Sequence, residues 1–207
     1  RFSIIHNRGC FGGCSFCALA FHQGRMITSR SIESVVREVE GFTRDPKFKG
    51  YVHDVGGPSA NFRHTSCKGQ LERGMCKNKN CLAPYPCKNL DPDHSEYLEL
   101  LRRVRKIPGV KKVFVRSGIR YDYLMEDKGS EFLSDLVKYH ISGQLKVAPE
   151  HCVADVLDYM GKPHFDVFEK FWAKYQKVNE KNGREQYLVP YLMSSHPGCT
   201  LADAVQL

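Results

Sequence analysis

The residues best suited to chemistry lie near the start of the chain, where RGCFGGCSFC sets Cys10, Cys14 and Cys17 at a CxxxCxxC spacing. Gly9, Gly12 and Gly13 lie among them and permit tight turns and close approach of backbone to a bound group. Iron-sulfur clusters are held by cysteine thiolates, usually four. With only three thiols at hand, a cubane keeps one iron free of protein ligands, just as catalytic zinc keeps one position open, and that iron can chelate a substrate or cofactor. The competing readings are zinc, which needs a fourth ligand such as His6 or His22, and buried thiols without metal. Spacing, glycine content and a place directly after a strand together favour the cluster.

A second group, Cys67, Cys76, Cys81 and Cys87, is spaced C-x8-C-x4-C-x5-C. Four thiols suffice for tetrahedral zinc or for a second iron-sulfur cluster, but the spacing matches neither a zinc ribbon nor a ferredoxin run. Disulfides and free thiols stay open as alternatives, since a reducing cytosol disfavours disulfides and recombinant handling forms them. Around these cysteines Lys68, Arg73, Lys77, Lys79 and Lys88 face a single acid, Glu72. Cys152 and Cys199 stand alone, which makes nine cysteines, an odd number and unlike a secreted disulfide framework.

The elements that must position these groups alternate. Five runs rich in Val, Ile, Tyr and Phe read as strands: FSIIHNRG, GYVHDVGG, KKVFVRSG, GQLKVAPEH and QYLVPYLMSSHPG. Between them, apolar residues recur at helical steps: Ile32, Val35, Val36, Val39 and Phe42 after the N-cap candidates Ser29 and Ser31; Leu98, Leu101 and Val104; Phe132, Leu133, Leu136 and Val137; a short helix around 153–160; then Phe168, Phe171, Trp172 and Tyr175. Strand, helix, strand is the order a parallel sheet requires, because a crossover helix returns the chain to the start of the next strand. In closed, partial and open versions of such an α/β sheet, the chemistry gathers at the carboxyl ends of the strands. One connection, residues 60–94, has no sustained apolar period, and a bound metal there can replace the missing core.

The totals bound the classes. With 207 residues and 42% apolar content, one globular domain is expected over residues 1–207, with 60–94 as an insertion inside it. The formal charge of +8 favours anionic partners without naming one. No apolar run reaches about 18 residues and the start lacks the pattern of a signal peptide, so a cytoplasmic protein without membrane contact is expected. The absent initial Met and the end ADAVQL, which reads as the middle of an amphipathic helix, suggest a piece of a longer chain.

Taken together, CxxxCxxC after the first strand, DVGGPSAN, the Cys67 to Cys87 insertion, LDPDHS, VRSGIRYD, LKVAPEH and PYLMSSHPGCT resemble the YgiQ-like family of the radical SAM superfamily over essentially the whole chain. The resemblance implies a parallel-stranded TIM-like partial barrel. It also implies a 4Fe-4S cluster on Cys10, Cys14 and Cys17 whose open iron binds S-adenosylmethionine (SAM), an electron donor such as a flavodoxin or ferredoxin, and radical chemistry on an unknown substrate. Phe16 matches the superfamily's aromatic position near the adenine. Gly56 and Gly57 stand where the superfamily has a Gly-Gly-Glu motif, although Pro58 replaces the Glu. A tight turn is the competing reading of that pair.

Glu150 at the end of the fourth strand has the acceptors to meet the ribose or the SAM ammonium, or is a solvated carboxylate. Gly198 permits close approach of backbone to the adenine. Arg116, Ser117 and Arg120 close the third strand, where a guanidinium clamps a carboxylate or phosphate with two prongs or else forms a surface salt bridge. His151 is read as structural, and Cys199 as a small hydrophobe rather than a radical relay. The alternative to an enzyme is a non-catalytic, metal-stabilised module whose basic lobe contacts nucleic acid. Such readers interleave aromatics with the cations, and this lobe offers only Tyr85.

Overall fold

The computed structural model describes residues 1–129 and 131–207. It is a mixed α/β structure in which, among the described residues, the strands form four two-stranded pairings. Strands β1 (Ser3–Ile5), β2 (Asn7–Arg8), β3 (Thr28–Ser29), β4 (Tyr51–Val52), β5 (Asp54–Gly56), β6 (Lys112–Val113), β7 (Gln144–Glu150) and β8 (Tyr187–Leu192) pair as β1 with β5, β4 with β6 and β7 with β8 in parallel, and β2 with β3 antiparallel. All five apolar runs contain strand, and the parallel pairs are those separated by helical crossovers. Further bonds tie the pairs together: Val55 N donates to Phe114 O at 3.0 Å, and Val115 N to His140 O at 3.0 Å.

The longer helices follow the apolar stripes. They are α2 (Ile32–Thr43), α4 (Ser95–Arg105), α6 (Glu131–Asp135), which runs on into a π-helical turn Leu136–His140, α7 (Ala154–Met160) and α8 (Phe165–Lys181). Ser31 is the side chain that caps α2, accepting from Ser34 N at 3.2 Å, whereas Ser29 lies in β3 and donates to Arg63 O. Val35, Val39, Tyr97, Leu101, Val104, Leu136 and Phe171 meet Ile4, Val55, Val113 and Val147 in one core. Burying each such side chain contributes about 1.5–3 kcal/mol. Trp172 departs from its stripe and is 51% exposed, beside Tyr187 and Pro190 of β8.

The short elements were not signalled by periodicity: α1 (Leu19–Gln23), α3 (Gly69–Arg73), α5 (Tyr121–Glu126) and α9 (Leu201–Gln206). The run ADAVQL begins a helix rather than continuing one, because Thr200 and Asp203 form a reciprocal capping box at its start. The insertion is also better packed than its lack of period implies. Phe62, Cys81 and Leu82 are buried with Phe11, Ile27 and Tyr123 in a satellite core, where Phe11 and Phe62 stack at 3.8 Å between ring centroids. No helix among the described residues is long and apolar enough to cross a membrane.

Candidate functional site

The loop after β2 carries the cysteine triad, and its neighbours explain its shape. At Gly12, a Cβ would lie 2.2 Å from Nη1 of Arg120, so only glycine lets that guanidinium approach. Gly13, at φ +69°, adopts the left-handed region and abuts Asn80 of the insertion. The end of α7 fastens the other side: Ser15 N donates to Met160 O at 2.9 Å and Ser15 Oγ to Tyr159 O at 2.8 Å. The loop is thus held between the insertion and α7.

A cavity of about 280 Å³ opens beside it, lined by Cys10, Cys14, Cys17 and Phe16 together with groups from other strand ends. Glu150 contributes from the end of β7, Ser59 from beyond β5, Arg120 from beyond β6 and Tyr191 from β8. Lys162, just past α7, and Lys146 of β7 add two ammonium groups to the lining.

Of the polar lining, Ser59, Arg120, Glu150 and Lys162 are buried, whereas Lys146 and Tyr191 are exposed. Arg120 donates to both carboxylate oxygens of Asp122, 2.9 Å from Nε to Oδ1, and Nη1 lies 3.4 Å from Cys14 Sγ. Burial works against both charges of this pair, but the guanidinium beside it still holds the Asp122 carboxyl below its usual range. Burial pushes the Cys10 thiol up, opposed by Arg120. Lys162 is 3% exposed and donates to Ala148 O at 2.6 Å; burial, then repulsion from Arg120, brings its ammonium down. Glu150 sits at φ +71°, a left-handed conformation uncommon for any residue but glycine, and its Oε2 is buried without a hydrogen-bond partner. Burial raises its pKa, against the pull of Lys162 and Arg120.

Strained backbone and an orphaned buried carboxylate oxygen at one place are the marks of a ligand site. In kind the donors suit the implied groups, soft sulfurs for iron-sulfur and Glu150, Lys162 and an aromatic face for a zwitterionic nucleoside, but among the described residues neither the triad nor any other three His, Cys, Asp or Glu are gathered to hold one metal ion.

Other candidates lie elsewhere. Gly56 and Gly57 do not line the cavity; a Cβ on them would meet Ser117 Oγ at 2.1 Å and Asn7 Oδ1 at 1.6 Å, so these glycines serve close packing. Gly198, at φ +92°, makes room for the Tyr159 ring rather than lining the cavity. Arg116 is exposed, and Ser117 hydrogen-bonds to Asp54 through its backbone and its hydroxyl. His151 is fully buried and accepts from Val153 N at 3.0 Å, while Cys199 is half-buried against Leu157 and Met160 and donates to Ser194 O at 3.2 Å.

The second cysteine group lines its own cavity, of about 270 Å³, and Cys67, Cys76, Cys81 and Cys87 all face it. All nine cysteines are free thiols. Among the described residues no three His, Cys, Asp or Glu side chains are gathered around one metal ion. Lys68, Arg73, Lys77, Lys79 and Lys88 are exposed on this lobe, with Tyr85 and Leu71 the exposed large apolar side chains beside them.

Sequence reasoning missed Lys162, Ser59 and Tyr191 as cavity residues, and the contact of Arg120 with Cys14. Lys162 directly follows the helix-ending Gly161, where a lysine is ordinarily solvated. No residue spacing signals that the turn folds back onto β7.

No family model matches the chain. All 207 residues align at 58% identity with a UPF0313 protein of Clostridium perfringens strain SM101, covering 31% of it. They align at 59% identity with UPF0313 proteins of Clostridium botulinum strains 657 and Okra, covering 32% of each. The chain therefore spans about a third of the length of the curated relatives it matches. Its close homologues are UPF0313 proteins.

Proposed function

We propose that this chain is the core of a radical SAM enzyme, a TIM-like partial barrel in which Cys10, Cys14 and Cys17 hold a 4Fe-4S cluster. The observation that carries the reading is the cavity itself: the three thiols share it with Phe16 and with Glu150, whose Oε2 is buried and unpartnered. When bound, the cluster and SAM supply a one-electron cleavage that yields methionine and a 5′-deoxyadenosyl radical, with the electron coming from a flavodoxin- or ferredoxin-type donor.

The chain's own part is binding, charge and exclusion of water. Arg120 offsets thiolate charge through its contact with Cys14 Sγ and is itself held rigid by Asp122. Glu150 accepts from an ammonium or a ribose hydroxyl, either of which gives its orphaned oxygen a partner. Lys162, held by Ala148 O and close enough to Glu150 to oppose the rise that burial gives its pKa, suits a carboxylate. The ring of Phe16 offers an apolar face to a base. Such chemistry belongs in a reducing compartment, so the reading includes the cytoplasm.

The test is anaerobic reconstitution of the full-length protein, reduction in the presence of SAM, and measurement of 5′-deoxyadenosine. Wild type is expected to produce it and Cys14→Ala to produce none. A wild-type protein that holds no iron on the triad, or a Cys14→Ala variant as active as wild type, rejects the reading.

A further inference from the structure

We propose that Cys67, Cys76, Cys81 and Cys87 hold a second iron-sulfur cluster, ligated by protein at all four corners. The spacing of these residues left zinc, iron-sulfur and disulfides open, and the tertiary arrangement brings all four to one place. All four side chains line one cavity of about 270 Å³, and none is joined in a disulfide. A structural zinc requires its four sulfurs at about 2.3 Å from a single centre. In a cluster each thiolate meets its own iron, with iron and sulfide filling the space between, so thiols set around a cavity suit a polynuclear group better than a lone ion.

The lining agrees in kind and in charge. No Asp or Glu lines the cavity, which removes the carboxylates that calcium, magnesium or manganese require. Arg73 and Lys79 do line it, and Arg25 reaches across to Cys76 O at 3.4 Å and Lys79 O at 3.2 Å. These cations offset the negative charge of an all-thiolate cluster. Ser66 Oγ lies 3.1 Å from Cys81 Sγ, and the buried Gln70 amide donates to the same sulfur at 3.7 Å. Such donors stabilise a thiolate and tune the potential of a bound cluster. With four protein ligands this site keeps no iron open, so it does not bind SAM. It also abuts the triad loop, since Asn80, which precedes Cys81, packs on Gly13.

The site stands independently of the triad's proposed chemistry, and the experiment separates the two. Full-length protein carrying Cys10→Ala, Cys14→Ala and Cys17→Ala is purified anaerobically, reconstituted with ferrous iron and sulfide, and assayed for metal, acid-labile sulfide and the electron paramagnetic resonance of the reduced form. The expected result is iron and sulfide in equal amounts, at least two of each per chain, with a reducible signal. Adding Cys81→Ala or Cys76→Ser is expected to abolish both. In a protein with the triad intact, Cys76→Ser with Cys87→Ser is expected to lower iron content while leaving the triad's share. That arm needs no triad variant to fold, and Cys76 is exposed, so its substitution leaves the packing in place. Triad-less protein that folds by circular dichroism yet retains no iron overturns the proposal. So does one zinc per chain bound in preference to iron when both are offered, or full iron retention in the Cys76→Ser variants.

Discussion

The triad's cavity, of about 280 Å³, and the insertion's, of about 270 Å³, are nearly equal in size and adjoin through Asn80, but what else lines them differs. Beside three thiols, the first cavity has the buried Glu150, Arg120 and Lys162, including one unpartnered carboxylate oxygen. Beside four thiols, the second has exposed cations and no acid. Buried, incompletely paired charge is destabilising unless a ligand repays it, so it belongs where something binds and leaves. A fourth thiol closes a metal site instead, and nearby surface cations need only offset its charge. On the proposed readings, ligand count and burial change together, and the contrast is between a site that exchanges a ligand and one that keeps it.

The largest expected effect breaks the triad side of this contrast. Arg120→Met leaves the buried Asp122 without its partner and is expected to lower stability by about 3–5 kcal/mol in chemical denaturation, with much of the loss recovered when Asp122→Asn is added. A loss below about 1 kcal/mol would mean that the charge is not truly desolvated. Phe62→Ala empties the satellite core shared by the two loops and is expected to cost a similar 3–5 kcal/mol or so. If the proposed cluster is held by coupled loops, iron retained on the triad is expected to fall in that variant; unchanged iron content would show that the loops pack independently.

Acid sharpens the comparison at the insertion's stem, where fully buried His6 lies 2.9 Å from Ala60 O and 3.3 Å from an Arg63 nitrogen. Burial, then the Arg63 guanidinium, lowers its pKa from 6.5 to about 3. Between those values the unfolded chain binds a proton that the folded one refuses, so stability is full above about pH 6.5 and falls as pH drops toward 3. The slope is about 1.4 kcal/mol per pH unit. His140, lowered to about 4 by burial, adds to the same acid loss, so the informative quantity is the difference between wild type and His6→Gln. Denaturation midpoints that stay parallel for the two proteins from pH 7 to pH 4 would refute this account of His6. Smallest of all, Arg73→Ala and Lys79→Ala are expected to shift stability by no more than about 0.5 kcal/mol, because both side chains are exposed. A shift as large as that of Arg120→Met would place them with the buried charges and erase the distinction.

Much of the frame was legible because its signals are local. CxxxCxxC among glycines is a matter of neighbours in sequence, and the stripes of α2, α4 and α8 repeat within a few residues, so period and cap suffice to find them. The short elements α1, α3 and α5 carry too few turns for any period to register. The insertion read as coreless because its buried residues, Phe62, Cys81 and Leu82, do not repeat and find their partners in Phe11, Ile27 and Tyr123. Gly56 and Gly57 invited a ligand reading for a related reason: a glycine pair after a strand looks the same whether it admits a cofactor or, as here, the side chains of Ser117 and Asn7.

By itself, then, the sequence determined which residues are chemically able: three thiols on a glycine loop, four more in a basic insertion, and strands whose ends must hold the rest. Only the tertiary structure decided which of them share a cavity and at what electrostatic cost. Placing Lys162 and Glu150 beside the triad, pairing Arg120 with both Asp122 and Cys14, and setting four distant cysteines around one space all depend on contacts between residues far apart in the chain. Burial and charge pairing are properties of those contacts rather than of residue type, and no local pattern encodes them.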